Sequence, residues 1–295
     1  MNWLITGGSG QLGNSLAQVL NESGINFTSL SSSDLDITQR TAVAATIKKL
    51  SPTVIINCAA WTDVDGAESQ ESLASLVNAS GPENVAMAAQ NCGAKLVHIS
   101  TDYVFSGQSN SPWSINSVKA PNTAYGRSKA EGENRILDVY SDNSYIVRTA
   151  WLYSPWGKNF AKTMLNLALK NSSQIEVVND QVGQPTSSVD LAKQIVKLVE
   201  SEAPVGIYHG TNSGSASWFD FAQSLFEMLG ADVNRVAPVS SDKFPRPAKR
   251  PSYSVLDHQA WDKTSITGMR NWKIALEESF PNILEAVMKG GDKIA

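Results

Sequence analysis

The sequence predicts an α/β protein, a doubly wound parallel sheet joined to a smaller C-terminal α/β lobe. Two observations carry that expectation. Over residues 1–150, short runs rich in Val and Ile alternate with longer helical patterns, which implies a parallel sheet covered on both faces. Between the first run and the first helical pattern lies "ITGGSGQLG", a glycine-punctuated turn from strand to helix.

The strands expected are "WLIT" (3–6), "TVIIN" (53–57), "KLVHIS" (95–100) and "YIVRT" (145–149), with "INFTSL" (25–30) a weaker one. Their near-continuous apolar character suits strands buried on both sides. Helical patterns fall at about 11–22, 39–50, 69–91 and 123–139. After residue 150 the pattern loosens. "IEVVND" (175–180), "GIYHGT" (206–211) and helices near 159–170, 188–201 and 217–229 look in part like further sheet-and-helix units. From 231 on, prolines at 238, 245, 247 and 251 break the chain into short elements. The expected division is a dinucleotide-binding domain over 1–150 and a mainly substrate-binding lobe over 151–295, with segments near 175–210 returning to the first.

A chain of 295 residues with 42% hydrophobic and 18% charged content is of ordinary globular composition. Its net charge of −4 argues against nucleic acid as the main partner, since phosphate backbones are held by accumulated Lys and Arg. No apolar run approaches the ~20 residues of a membrane span. "MNWLITGG" lacks a basic leader region, so the expected location is cytoplasmic. Cys58 and Cys92 sit in apolar stretches and are expected as buried free thiols. The three histidines, His98, His209 and His258, show no metal-ligand spacing, so no metal site is expected. His98 and His209 read as strand histidines satisfied by neighbours, which leaves proton transfer near neutral pH to another residue.

Gly7, Gly10 and Gly13, with Gln11 and Leu12 between them, follow a strand and open a helix. Such a loop lets the backbone approach a pyrophosphate that rests on the positive end of the helix, the arrangement of a Rossmann-type dinucleotide site. The second strand should deliver the residue that reads the adenosine ribose. It offers Ser31 and Ser32, with Asp34 slightly late and no arginine at hand. Serine hydroxyls with no opposing acid favour NADPH, with NADH left open.

"AYGRSKAEGE" (124–133) places Tyr125 and Lys129 four apart, on one helical face. A tyrosine of ordinary pKa ~10 is a sluggish acid–base group near neutrality, and a nearby ammonium favours its phenolate. After the fourth strand comes "STDYVF" (100–105), with Thr101, Asp102 and Tyr103.

Together "TGGSGQLG", "STDYVF" and "YGRSK" resemble the extended short-chain dehydrogenase/reductase family. "INCAAWTDVDGAE" (56–68), "RTAWLY" (148–153), "NFAKTM" (159–164), "VVNDQVGQPTSS" (177–188) and "RPAKRPSYSVLD" (246–257) narrow the resemblance to its dTDP-4-dehydrorhamnose reductases, nearly end to end. The resemblance implies reduction of a keto group on a dTDP-deoxysugar by NAD(P)H. Tyr125 would be the proton donor, Lys129 would tune it and reach the nicotinamide ribose, and Thr101 would hold the keto oxygen. Related dehydratases carry an Asp–Glu pair after the threonine. Here Asp102 is followed by Tyr103, so elimination lacks its base and simple reduction needs none. The family also includes a regulatory subunit of methionine adenosyltransferase, which makes a nucleotide-binding partner protein the competing expectation. Reduction of another deoxysugar nucleotide is a third.

The resemblance further implies Asp36 and Ile37 near the adenine, Ala59, Ala60 and Thr62 along the cofactor, and Trp151 against the sugar or its base. A helix-capping Asp36 and simple packing roles for the others stand beside these readings. Thr62 and Asp65 fit a capping box at a helix start. "KFPRPAKRP" gathers Lys243, Arg246, Lys249 and Arg250, a candidate clamp for the substrate diphosphate or a plain solvated loop. Some members of the family form a dimer bridged by magnesium through glutamates. Here those places hold Asn14-Ser15 and Ser187-Ser188-Val189, so magnesium is not expected and the chain should be a monomer or a weak homodimer.

Overall fold

The structure is a computed structural model that describes residues 2–291. Its first part runs β1 (Asn2–Thr6), α1 (Gln11–Glu22), β2 (Asn26–Leu30), α2 (Arg40–Leu50), β3 (Val54–Asn57), α3 (Val64–Ser69), α4 (Glu71–Ser75), α5 (Gly81–Cys92), β4 (Lys95–Thr101), α6 (Ala124–Tyr140) and β5 (Ser144–Thr149). There follow β6 (Leu152–Tyr153), α7 (Phe160–Lys170), β7 (Ile175–Val178), β8 (Val182–Gly183), β9 (Thr186–Ser187), α8 (Ser188–Glu200), β10 (Gly206–His209), β11 (Ala216–Ser217), α9 (Trp218–Leu229), β12 (Val236–Val239) and α10 (Trp272–Gly291).

Six strands form one parallel sheet in the order β10-β5-β4-β3-β1-β2. Side chains alternate across it, as the two-residue period of a strand requires. Trp3, Ile5, Val54, Ile56 and Val97 pack with α1 and α8 on one face. Leu4, Ile55 and Leu96 pack with α2, α5 and α6 on the other. The chain leaves β1 toward β2 in one direction and places β3 on the opposite side. The carboxyl ends of β1 and β3 therefore flank a crevice, the place where open α/β sheets bind ligands.

A separate core is built from α7, α9 and α10 around Leu165, Phe221, Phe226 and Leu276. It also takes in β7, which pairs with β12, so of the segments near 175–210 it is α8 and β10 that lie with the main sheet. Beneath the crevice, Glu133 of α6 and Arg148 of β5 form a buried bidentate pair at 2.8 and 2.7 Å. Ser100 donates to the same carboxylate at 2.6 Å.

Three local expectations change. The helix expected over 69–91 is broken into α4, a π-helical turn over Leu76–Ser80 and α5. The wider turn sets Asn78 facing inward, where it accepts from Trp61 N–H at 2.8 Å and donates to Ser128 Oγ at 3.0 Å. Helix α3 is capped by Asp63, which accepts from Gly66 N–H, and not by a Thr62–Asp65 box, because Asp65 is drawn to Arg250. Both cysteines are free, but Cys92 is exposed at the end of α5 and Cys58 is only half-buried. No helix among the described residues is long and apolar enough to cross a membrane.

Candidate active site

A cavity of about 940 Å³ opens at the carboxyl ends of β1, β3, β4 and β5. Its wall brings together Gly7, Gly10, Gln11, Leu12, Gly13, Ser32, Asp36, Ile37, Ala59, Ala60, Thr62, Thr101, Asp102, Tyr103, Tyr125, Lys129 and Trp151. Two expected residues stand outside that wall. Ser31 is turned away because its N–H and hydroxyl both donate to Asp34, at 2.8 and 2.6 Å. Arg250 is held by Asp65 at 2.8 Å.

The glycine loop has the close approaches that demand glycine. Gly7 has φ +68°, and a Cβ there would lie 2.6 Å from the backbone N of Ala59 across the crevice. A Cβ on Gly13 would meet the Gly7 carbonyl at 2.5 Å. Helix α1 begins on Gly10 with no side-chain cap, whereas α6, α7, α8 and α9 are capped by Thr123, Asn159, Ser187 and Ser217. The unsatisfied N–H groups of its first turn belong to the segment that lines the cavity, which fits a pyrophosphate. Gln11 accepts from Ser154 Oγ at 2.9 Å and Asn159 Nδ2 at 3.0 Å, tying this loop to the second lobe. Asp36 accepts from the Thr38 N–H and hydroxyl at 2.9 and 2.8 Å, in the manner of a turn-capping carboxylate, and also reaches the cavity wall.

Thr101 ends β4 and Tyr125 opens α6, so sheet and helix aim both hydroxyls at one wall. Thr101 Oγ1 donates to Asp102 Oδ1 at 2.9 Å and accepts from Tyr103 N–H at 3.2 Å. Tyr103 packs edge-on against Tyr125, ring centroids 5.5 Å apart. Lys129 is fully buried, and its Nζ donates to the Ile99 carbonyl at 2.6 Å and lies 3.2 Å from His98 Nε2. Burial brings Lys129 down to about 8, against the pull of Glu133 and Cys58. The expected lowering of Tyr125 by this lysine is not what the site imposes. Burial pushes the phenol up to about 12, opposed by a hydrogen bond to Thr101. Tyr125 thus keeps its proton at neutral pH, the state a proton donor needs.

Trp151 has φ +47°, a left-handed backbone that a bulky residue adopts only when its surroundings enforce it. Its ring lines the cavity and stacks on Trp218 of the second lobe, centroids 3.5 Å apart. Of the four cations in 243–251, Lys243 pairs with Glu176 and Arg250 with Asp65. Among the described residues no cluster of three or more His, Cys, Asp and Glu is placed to hold a metal ion. Ser15 and Ser188, at the places where glutamates were considered, are buried and bonded to each other at 2.7 Å between α1 and α8.

Two contributors escaped the sequence reading. Asn78 clamps the 59–62 wall to α6 through a π turn that has no sequence signature. His98 is a strand histidine satisfied by its neighbours, but one neighbour is Lys129.

Fold and cavity together define a nicotinamide-dependent oxidoreductase of the short-chain dehydrogenase/reductase class. The profile of the RmlD substrate binding domain family matches residues 1–284. A dTDP-4-keto-6-deoxy-D-glucose reductase of Streptomyces niveus is 45% identical over 95% of this chain and 96% of its own. A dTDP-4-dehydrorhamnose reductase of Streptomyces griseus is 44% identical over 95% of this chain and 93% of its own. The structure of dTDP-4-dehydrorhamnose reductase from Bacillus anthracis in complex with NADP is similar with a TM-score of 0.91 at 41% identity, covering 95% of this chain and 98% of that one. The chain belongs to this family, that of the dTDP-4-dehydrorhamnose reductases.

Proposed function

We propose that the protein reduces the 4-keto group of dTDP-4-dehydro-β-L-rhamnose to dTDP-L-rhamnose with NADPH. The observation that carries this reading is the convergence of Thr101, Tyr125 and Lys129 on the same wall as the uncapped glycine loop. The loop N–H groups bind the cofactor diphosphate, and Ser32 on the cavity wall receives the adenosine ribose end. NADPH, when bound, supplies the hydride. Tyr125 gives its phenolic proton to the ketone oxygen, Thr101 holds that oxygen, and buried Lys129 anchors the nicotinamide ribose. Trp151, backed by Trp218, excludes water on the sugar side.

The test follows oxidation of NADPH and of NADH with dTDP-4-dehydro-L-rhamnose, with product stereochemistry read by NMR. Turnover to dTDP-L-rhamnose is expected. A second reading, reduction of a different dTDP-4-keto-6-deoxysugar, is favoured by the Streptomyces niveus relative and predicts faster turnover with the D-gluco substrate. Tight cofactor binding with no turnover of either sugar would instead favour a regulatory nucleotide-binding subunit.

A further inference from the structure

Thr101 has one hydroxyl hydrogen, and its destination decides whether the residue can hold a ketone. That hydrogen is donated to Asp102 Oδ1 at 2.9 Å. The oxygen already accepts from Tyr103 N–H at 3.2 Å, and the Tyr125 phenol faces it as well. A carboxylate has no hydrogen to give and only accepts. While Asp102 is charged, the Thr101 hydrogen is held by it and none remains for a carbonyl oxygen.

Asp102 is built for the other state. It is 3% exposed, lies on the cavity wall, and its Oδ2 has no hydrogen-bond partner. No ammonium or guanidinium is bonded to it. The groups that face it are Thr101 and Tyr103 from its own turn, Tyr125 from α6 and Ser254 from the C-terminal lobe. Arg250 and Asp65 act on Tyr103 and pair with each other, and Lys129 is committed to Ile99 and His98. Glu133 is neutralised by Arg148.

We propose that Asp102 is a positioning residue that gates Thr101, freeing its hydroxyl hydrogen for the keto oxygen only as the neutral carboxylic acid. The neutral acid donates to Thr101 Oγ1, which still accepts from Tyr103 N–H. Both lone pairs of that oxygen are then filled, so the Thr101 and Tyr125 hydrogens are both free to point at the substrate. Every donor then has an acceptor. Burial supports the same state, raising Asp102 to about 6 against the hydrogen bond from Thr101.

This inference rests on the reductase reading, and its test separates the two. Single-turnover rates of NADPH oxidation with dTDP-4-dehydro-L-rhamnose are measured against pH for the wild type, Asp102→Asn and Asp102→Glu. NADPH fluorescence reports cofactor binding and an intact fold. The wild-type rate is expected to fall about tenfold per pH unit above its limb, because only the acid form is competent. Asp102→Asn, whose amide donates at every pH, should keep the low-pH rate within severalfold and lose that limb. Asp102→Glu should retain a limb at a shifted pH, which keeps the idea testable where the amide variant does not fold. A wild-type profile flat through about pH 6, a limb there that survives Asp102→Asn, or one there unmoved in Asp102→Glu overturns the gate while leaving the reductase intact. Absence of turnover at every pH by cofactor-binding wild type would overturn the reductase reading itself.

Discussion

Lys129 Nζ lies 3.2 Å from His98 Nε2, and the hydrogens around the pair do not suit an ammonium. Asn57 Oδ1 accepts from the Thr6 hydroxyl at 2.6 Å and from Ala59 N–H at 3.2 Å, which fixes the amide orientation. Its Nδ2 then donates to His98 Nδ1 at 3.1 Å, so the single hydrogen of the neutral ring sits on Nε2, facing Lys129. A neutral lysine amine accepts that hydrogen and still donates to the Ile99 carbonyl. An ammonium opposes it. Burial, and then Lys129, holds His98 well below its usual range, so the ring offers no second charge.

The first prediction concerns Lys129→Met. Bringing a lysine from 10.5 to about 8 opposes folding by roughly 3 kcal/mol at neutral pH. Between pH 8 and 10.5 the unfolded chain carries a proton that the folded lysine has lost, so wild-type stability rises with pH through that window. Methionine removes this penalty but leaves the His98 Nε2–H unpaired, at about 1–3 kcal/mol. The variant should be more stable than wild type by about 1 kcal/mol at pH 7, lose that advantage near pH 10, and have no useful activity. Urea denaturation at both pH values checks it; an equal loss at both would show that the lysine is not strained.

Tyr125→Phe removes the phenolic proton and little else. Turnover should fall by about two to four orders of magnitude, the usual range for losing a general acid. NADPH affinity by fluorescence titration should stay within twofold. A variant retaining a tenth of the wild-type rate would mean that another group protonates the product.

Glu133→Gln strips the charge from a buried carboxylate bonded to Arg148 and Ser100. Burial alone would raise Glu133, but the Arg148 guanidinium outweighs it and holds the carboxyl below its ordinary range. Leaving Arg148 buried and uncompensated should destabilise the fold by about 3–5 kcal/mol. Because the folded carboxyl sits low, the wild-type contribution is present above the ordinary carboxylate range and is lost as pH falls below it. The difference between wild type and variant in urea midpoints should therefore narrow at acid pH. A constant difference down to the acid limit would assign the loss to packing.

Much of the fold was legible because its signals are local. The Val- and Ile-rich runs mark the central strands, and the glycines of 7–13 sit where backbones nearly touch. Tyr125 and Lys129 were legible as a spacing, and Thr101 by its place after a strand. What was hidden depends on partners distant in the chain. Nothing near His98 says that Lys129 will meet it, 31 residues on. Nothing near Asp65 foretells Arg250, 185 residues on. The Thr62–Asp65 capping pattern failed for that reason, since Asp65 is taken by Arg250 and Ala248 N–H while Asp63 caps the helix. Ser31 failed through a closer competitor, Asp34, which accepts from both its donors.

Arg250 joins the C-terminal lobe to the wall of the nucleotide domain, and this is the last relationship with a measurable outcome. Its Nη2 donates to Asp65 Oδ2 at 2.8 Å, and the same carboxylate accepts from Ala248 N–H at 3.2 Å. Asp65 thus fixes both the guanidinium and its backbone beside Tyr103, while Arg250 Nη1 stays buried without a partner. Both side chains are 25% exposed, so the pair itself contributes only about 1 kcal/mol to stability. Its larger effect should be on substrate placement. Arg250→Met and Asp65→Asn should each raise KM for the sugar nucleotide several-fold, with kcat and NADPH affinity little changed. If the two act as one unit, the double variant should be no worse than the poorer single one. Multiplicative losses would show that each side chain acts on the substrate separately, and unchanged KM in Arg250→Met would show that this arginine has no part in placing the sugar nucleotide.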